Sequence, residues 1–241
     1  MNTKDLLVIS GIPVEVTRKN IKNLHLAVYP PNGRVTVSAP SPMQLDAIRS
    51  AVVTRLAWVK RQQKQISLAP RQSPREMISG ESHYYLGQRY RMRVLEYQGG
   101  ARIRIKGKAI LLLEAHPSAS LTARLNALDH WYRTQLNELV PSLIETWAAR
   151  IGVEDVSWRM RRMRTRWATI DVKKRVITVN PEIAKQTLEG LESVIVHELI
   201  HLLEPNHGEG FILLMNQHLP DWRARKSRLD SAILSSEDWK C

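Results

Sequence analysis

The sequence predicts an α+β protein, with strands in the first half of the chain and helices in the last third. Apolar and polar residues alternate with a period of two in several short runs before residue 115, which is typical of half-buried strands. Apolar residues recur at helical spacing after residue 121. The composition changes near His116, so we expect a β-rich domain at 1–115 and a second domain at 116–241.

Two groups of strands are predicted in the N-terminal domain. The first is a hairpin whose turn contains Asn32 and Gly33, because an Asn-Gly pair between two alternating runs is a strong hairpin signal. The second is a meander over residues 84–112, with turns at 98–100 and 106–108. The sequence shows no internal repeat.

Helices are predicted between and after these strands. Residues 41–44 read Ser-Pro-Met-Gln, a capping-box pattern that opens a helix reaching Val59. A Ser-, Pro-, Arg- and Gln-rich segment at 67–82 predicts a linker or exposed loop. A long helix is expected from Leu121 to a stop at Gly152, kinked or split at Pro141. Residues 158–180 read as two strands that turn at 173–174, followed by further helices.

Composition limits the partners and the location. A formal charge of +13 favours polyanionic partners such as nucleic acid or nucleotides, although a basic protein without such a partner fits equally well. The single cysteine, Cys241, excludes an intrachain disulfide and a thiolate cluster. No apolar run approaches the roughly 20 residues that span a bilayer, and the N-terminus lacks a secretory signal pattern. We therefore expect a cytoplasmic protein without a membrane partner; the sequence predicts no oligomeric state.

The most informative motif is His-Glu-Leu-Ile-His at residues 197–201, a known zinc signature. On a helix, residues four apart lie roughly 40° apart around the axis, so His197 and His201 share one face. Their imidazoles can bind one zinc ion at about 2.0–2.1 Å. Glu198 lies beside that face and can act as general base on a metal-bound water.

A third ligand is required, and His207 is the favoured residue. On a continuous helix it would point roughly 240° away from His201. The helix must therefore end first, and Pro205 provides a reason for it to end. Glu204 and Glu209 are the alternatives for this ligand position.

Five arginines lie between residues 159 and 166, directly before Trp167. If this segment is a strand, Arg162, Arg164 and Arg166 project from one face and can bind phosphates in bidentate fashion. A solvated strand face that pairs with local carboxylates is the alternative. These three arginines and Trp167 are the predicted substrate contacts.

The sequence resembles the YgjP-like metal-dependent hydrolases, a bacterial family with a zincin-type, metallopeptidase-like domain. The resemblance rests on residues 197–201, Asn206-His207, Phe211, Leu-Pro-Asp-Trp at 219–222, the basic segment 162–167, Ala-Trp-Val-Lys at 57–60 and the motifs at 79–81 and 85–87. The chain departs from the family pattern at 168–170, which read Ala-Thr-Ile instead of Gly-Ser-Cys, and at Gly208 and Ile212.

The resemblance implies a β-rich N-terminal part and a zincin-like catalytic domain, with His197, His201 and His207 as metal ligands and Glu198 as the catalytic residue. One zinc ion, or another divalent metal, is expected. The favoured function is a metallopeptidase-like hydrolase of peptide bonds. A nucleoside triphosphate pyrophosphohydrolase is the alternative, because some family members are described as acting on UTP. A nucleic-acid-binding module with a structural zinc is the third interpretation.

Overall fold

The structure, a computed structural model, describes residues 4–29, 32–68, 75–163 and 166–231. The chain divides into two compact units, Met1–Arg71 and Gln72–Cys241. The division falls inside the segment predicted as a linker or exposed loop, and residues 69–74 of that segment lie outside the described residues. The change in composition had instead indicated a domain boundary at His116. The strands between residues 82 and 115 belong to the second unit, because Met92, Leu111 and Leu113 enter the same core as the C-terminal helices.

The first unit is a four-stranded sheet with two helices. Its elements are β1 (Lys4–Ile9), β2 (Ile12–Lys19), β3 (His25–Tyr29), β4 (Arg34–Pro40), α1 (Leu45–Thr54) and α2 (Leu56–Leu68). The strand order is β1-β2-β4-β3, with β2 and β4 parallel. Antiparallel pairing of Tyr29 with Arg34 confirms the predicted hairpin. Buried valines of β2 and β4 pack with Ile48 and Val52 of α1 in one core.

The helix predicted from Ser41 differs in the structure. It begins at Leu45, after Gln44, and no side chain caps its first turn. The backbone N–H of Met43 bonds the carbonyl of Pro40 at 3.1 Å, so these residues form a turn instead of the first helical turn. The capping-box prediction is therefore wrong. Arg55 also separates α1 from α2, where one continuous helix was expected.

The second unit contains two sheets and the remaining helices. Its elements are β5 (Ser82–Tyr85), β6 (Gln88–Glu96), β7 (Arg102–Lys106), β8 (Ile110–Ala115), α3 (Leu121–Ile151), β9 (Ser157–Met160), β10 (Ala168–Asp171), β11 (Val176–Val179), a 3₁₀ helix (Pro181–Lys185), α4 (Leu188–Ile200), α5 (Glu209–His218) and α6 (Trp222–Ser231). The sheets have the orders β5-β6-β8-β7 and β10-β11-β9. The α+β class is confirmed. The meander is wrong, because β8 lies between β6 and β7 and is parallel to β6.

The two four-stranded sheets share one topology. In each, two hairpins are joined by a parallel pair of inner strands, β2 with β4 and β6 with β8. The first hairpin of each turns through a left-handed pair, Ser10 and Gly11 at φ 50° and 78° and Leu86 and Gly87 at φ 46° and 76°. The fold thus contains a repeat that the sequence does not show, because strands and turns restrict polarity and φ more than residue identity.

Helix α3 begins and ends where the sequence predicts. The Ser120 hydroxyl accepts a hydrogen bond from the N–H of Ala123 at 3.2 Å, and Gly152 ends the helix at φ 80°. The helix continues through Pro141, so the predicted split is not observed. Val140 and Ile144 are buried on either side, and their packing offsets the lost backbone hydrogen bond. None of the helices in the described ranges has the length and apolarity that a membrane span requires.

Candidate metal centre

Helix α4 carries the His-Glu-Leu-Ile-His motif through the core of the second unit. The hydroxyl of Thr187 caps its first turn by accepting the N–H of Gly190 at 3.2 Å. Leu191, Ile195 and Leu199 are fully buried, which fixes the helix by its apolar face. His197 and His201 therefore lie one turn apart at a defined position, as predicted.

The chain leaves the helical path immediately after the motif. Leu202 and Leu203 donate to carbonyls three residues earlier, at 3.0 and 2.9 Å, which tightens the last turn. Helix α4 ends at Ile200, before Pro205, and α5 begins at Glu209. His207 thus lies in the connection between two helices, which is the break that the predicted ligand set requires.

Three imidazoles converge at this point. The Nε2 atom of His197 lies 3.2 Å from Nε2 of His201 and 3.0 Å from Nε2 of His207. Three nitrogens around a tetrahedral ion at 2.0–2.1 Å would be separated by about 3.3 Å, so the donor set fits one metal ion. The Nδ1–H of His201 donates to the carbonyl of Glu204 at 3.1 Å, which leaves its Nε2 lone pair available.

The two glutamates considered as alternative ligands do not join this group. Among the described residues, the candidate metal-binding cluster consists of His197, His201 and His207. The carboxylate of Glu204 lies against Gly210, where an added Cβ would approach Oε1 to 2.8 Å. Glu209 begins α5.

Phe211 forms a common aromatic contact for the three imidazoles. Its ring centroid lies 4.9 Å from that of His197, 4.8 Å from that of His201 and 4.7 Å from that of His207. The side chain is buried, in the first turns of α5. Spacing did not single out this residue, although one signal was present: it is the only phenylalanine in the chain.

Burial keeps the imidazoles in the form that binds metal. It lowers the pKa of His197 to about 4, and the neighbouring His201, His207 and Lys226 act in the same direction. Burial also lowers the pKa of His201, against the effect of its bond to the Glu204 carbonyl. Neutral imidazoles are the species that ligate a cation, so these two rings lose no proton on binding metal at pH 7.

Glu198 is buried beside the three histidines, with 8% of its surface exposed. Burial raises the pKa of its carboxyl group to about 7, while the positive charge of Arg166 and the backbone N–H of Ile170 lower it. The N–H of Ile170 therefore donates to this carboxylate from strand β10. A carboxylate whose pKa lies near neutrality can both accept and release a proton.

These residues open into a pocket of about 580 Å³. Arg166 and Trp167, two of the predicted substrate contacts, line it, as do residues 168–170, where the chain departs from the family pattern. Trp222 and Lys226 of α6 also line it and were not predicted. Helix α6 is attached to α4 through Arg225, which bonds the Glu192 carboxylate.

Arg162 lies elsewhere. It pairs with Asp129 at 2.8 Å and Glu182 at 3.6 Å, and these residues line a separate cavity of about 310 Å³. Strand β9 ends at Met160, so the predicted strand face for the arginines is wrong. Arg162 instead pairs with nearby carboxylates, which was the alternative interpretation of the arginine segment. Arg164 lies outside the described residues.

Asn180, which sequence reasoning missed, holds the last part of the arginine segment. It is fully buried, and its side-chain amide donates to the carbonyls of Met163 at 2.8 Å and Arg166 at 3.0 Å. Its backbone N–H donates to the carbonyl of Trp167 at 2.8 Å. These bonds place Arg166 and Trp167 at the pocket without a strand.

The comparison with protein families identifies the family of this chain. The model described as YgjP-like, metallopeptidase domain, matches residues 22–232. The chain belongs to the YgjP-like family. This membership confirms the resemblance stated from the sequence and supports a metal-dependent hydrolase, with the three histidines of this YgjP-like chain as its candidate metal site.

Two solved structures are similar to part of this YgjP-like protein. The metallopeptidase zymogen abylysin of Pyrococcus abyssi is 22% identical, with a TM-score of 0.38 over 40% of this chain and 97% of its own. The metallopeptidase zymogen jannalysin of Methanocaldococcus jannaschii is 18% identical, with a TM-score of 0.35 over 38% of this chain and 93% of its own. No curated protein matches the chain.

Proposed function

We propose that this protein is a zinc-dependent peptidase in which His197, His201 and His207 hold the ion and Glu198 is the general base. The observation that carries the proposal is the position of a buried carboxylate next to three converging imidazole nitrogens at an open pocket. A zinc ion held there supplies a Lewis acid that polarises the attacked oxygen and lowers the pKa of water. A structural zinc site is closed, whereas this pocket leaves room for substrate.

Glu198 handles the proton in this reaction. Its carboxylate takes the proton from the attacking water and then delivers it to the leaving amine. The bond from the Ile170 N–H orients the carboxylate. A pKa of about 7 allows the Glu198 carboxyl group both to accept and to release the proton. A cation bound beside it would lower that pKa and so favour the carboxylate, which is the form that acts as a base.

Strand β10 supports a peptide as substrate. It is one of the two edge strands of its sheet and lines the pocket through Ala168, Thr169 and Ile170. An edge strand presents unpaired backbone groups that an extended peptide can bind by strand addition. Such binding would hold the scissile bond along β10, beside Glu198.

The direct test compares zinc-loaded wild type with Glu198→Gln on an unstructured polypeptide. We expect the substitution to lower the rate of peptide release by about 10²–10⁴-fold, the usual contribution of a general base. Glu189→Gln is the matched control, because Glu189 lies on the same helix and is absent from the residues lining the pocket. Equal cleavage by wild type and Glu198→Gln would refute the proposal.

The second candidate is a nucleoside triphosphate pyrophosphohydrolase that uses the same site. Arg166 and Lys226 favour it, because two cations in the pocket suit a phosphate chain. Release of pyrophosphate from UTP, dependent on Glu198, would support this candidate in place of the peptidase. Salt-sensitive DNA binding that is indifferent to Glu198→Gln would instead support a nucleic-acid-binding module.

A further inference from the structure

The outer face of the β5-β6-β8-β7 sheet is dense in exposed cations. The inner face of this sheet packs into the core of the second unit through Tyr90, Met92 and Leu111. Because successive side chains of a strand point to opposite faces, the residues between these positions lie on the outer face. The cations there, called the basic face below, are Arg89, Arg91 and Arg93 of β6 and Arg102, Arg104 and Lys106 of β7, and all of them are exposed.

Glu114 shows that side chains of the basic face can reach one shared anion. It lies on β8, between β6 and β7. The Nε–H of Arg102 donates to its Oε2 at 2.8 Å, and an Nη2–H of Arg104 donates to its Oε1 at 2.9 Å. The Arg102 guanidinium also lies over the ring of Tyr97, 4.1 Å from the centroid. Two guanidinium planes are thus held in defined positions, which lowers the cost of ordering them around a ligand.

The arginines of β6 are not neutralised in this way. Among the residues that the structure describes, no carboxylate forms an ion pair with Arg89, Arg91 or Arg93. The three residues alternate along the strand, so their Cα atoms follow one another at about 6.7 Å. Like charges on one sheet face repel, and a face that served only solubility would interleave both signs. This pattern favours a partner that carries a regular series of negative charges.

Aromatic side chains lie at both ends of the basic face. Tyr84 of β5 pairs with Arg89 in the strand register, and it is 39% exposed. Tyr97 directly follows β6 and lies under the Arg102 guanidinium. Aromatic rings and arginine planes stack on unpaired bases, and their combination with positive charge is typical of surfaces that bind single strands. A duplex keeps its bases stacked inside and an acidic peptide has none, so either would use the charges alone.

We propose that the basic face binds single-stranded nucleic acid, with the arginines of β6 on the phosphates and Tyr84 stacked on a base. The described residues that line the pocket of the candidate metal centre include none of this face. The face also lies on the side of its sheet opposite to the core that contains α4. The inference therefore goes beyond the proposed hydrolase and does not depend on it.

The test measures the fluorescence anisotropy of a labelled single-stranded DNA added to the full chain. A length of about 15 nucleotides is comparable to the roughly 4–16 that one single-strand-binding domain covers. We expect a Kd of about 10⁻⁴–10⁻⁶ M at physiological salt. If the three arginines of β6 and Lys106 each contact one phosphate, log affinity should fall with log salt at a slope of about −3, since each contact contributes about −0.7. An RNA strand of the same sequence shows which sugar the face prefers, and no binding of either strand would overturn the proposal.

Arg91→Gln combined with Arg93→Gln removes two charges from the face. We expect the salt slope to become shallower by about 1.4 and the affinity to fall about tenfold or more. Arg91→Lys combined with Arg93→Lys keeps both charges and should keep the slope. The matched control is Arg49→Gln with Arg61→Gln, two exposed helical residues of the first unit whose loss changes the net charge equally. Equal losses in the two Gln pairs would show that binding follows net charge and would overturn the proposal.

Tyr84→Ala tests the stacked base. We expect it to lower the affinity for the single strand about tenfold without changing the salt slope, whereas Tyr84→Phe keeps the ring and should bind like wild type. Unlabelled duplex of the same sequence and polyglutamate of equal charge should displace the strand poorly. Displacement by polyglutamate as efficient as that by unlabelled single strand would overturn the proposal, as would tighter binding of the duplex.

These outcomes are distinguishable from those of the proposed function. Glu198→Gln protein should bind the strand as wild type does, whether or not it has lost peptide release. Strand binding without any Glu198-dependent hydrolysis would keep the basic face and leave the nucleic-acid-binding module as the function. Glu198-dependent hydrolysis without strand binding would keep the enzyme and overturn the basic face as a binding surface.

Discussion

The ring of Phe211 packs edge-on against the imidazole of His197, with 4.9 Å between the ring centroids and 69° between the ring planes. The same ring contacts the imidazoles of His201 and His207. One buried side chain on α5 therefore fixes the separation of ligands that come from α4 and from the loop after it. The geometry of the candidate metal centre depends on this contact as well as on the three histidines themselves.

Replacing Phe211 with Ala should weaken metal binding although no ligand changes. The cavity should cost about 3–5 kcal/mol of unfolding free energy, and the released imidazoles should lower zinc affinity by about 10–100-fold. Competition with a chelator measures the affinity. Leu219→Ala, in the same core, is the control that should lose stability and keep affinity. Equal affinity losses in the two variants would contradict the role assigned to Phe211.

Replacing Asn180 with Asp should misplace the arginine segment. The substitution turns the amide donor into an oxygen facing the carbonyls of Met163 and Arg166, which should cost about 2–3 kcal/mol of unfolding free energy. In the folded protein we expect KM to rise more than kcat falls, with zinc affinity unchanged, because Arg166 and Trp167 line the pocket but are not ligands. Asn137→Asp, an exposed site on α3, should change none of these quantities.

His83 predicts a pH dependence of stability. Burial, together with the positive charge of Arg75, lowers its pKa from 6.5 to about 4. Between these values the unfolded chain binds a proton that the folded protein does not. The free energy of unfolding should therefore fall as pH falls from about 6.5 to 4, by up to roughly 1.4 kcal/mol per pH unit from this group.

Denaturant unfolding of wild type and His83→Gln at several pH values measures this effect. Glutamine can keep a hydrogen bond to the Glu81 carboxylate, which lies 3.2 Å from the His83 ring, but it does not titrate. The variant should show a shallower decline between pH 6.5 and 4. Parallel curves for the two proteins would remove His83 from the explanation.

Two equivalent glycines provide a matched pair for the repeated sheet. Alanine at Gly11 or Gly87 must adopt a left-handed conformation, at a cost of about 1 kcal/mol. At Gly87 the added Cβ would also lie 2.6 Å from Cγ2 of Thr187, which caps α4, whereas nothing lies within 4 Å at Gly11. Gly87→Ala should therefore lower the melting temperature more and reduce zinc affinity. Gly11→Ala should leave zinc affinity unchanged.

Features encoded locally were predictable from the sequence. The apolar spacing predicts the helix that presents His197 and His201. The helix was expected to end before His207, because on a continuous helix His207 would point away from the other two histidines. Ser120 and Gly152 mark the ends of α3 because capping depends on adjacent residues. The family resemblance added the same four site residues, and the family itself is confirmed.

Features that depend on distant residues were not predictable. Periodicity indicates a strand but not its neighbour, so the insertion of β8 between β6 and β7 was missed. Alternating arginines resembled a strand, yet Asn180 holds that backbone in a different path through bonds to Met163 and Arg166. Lys226 reaches the pocket only because α6 packs on α4.

The uniqueness of Phe211 has a practical use. Because the chain contains one phenylalanine, growth on fluorophenylalanine would introduce a single ¹⁹F nucleus type, and it would sit against all three imidazoles. Its resonance would need no assignment, because no other residue would carry the label. Titrating zinc, manganese or cobalt into the labelled protein would therefore report metal occupancy, exchange rate and paramagnetism from one peak. Phe211 is therefore a natural position for a spectroscopic probe of the candidate metal centre.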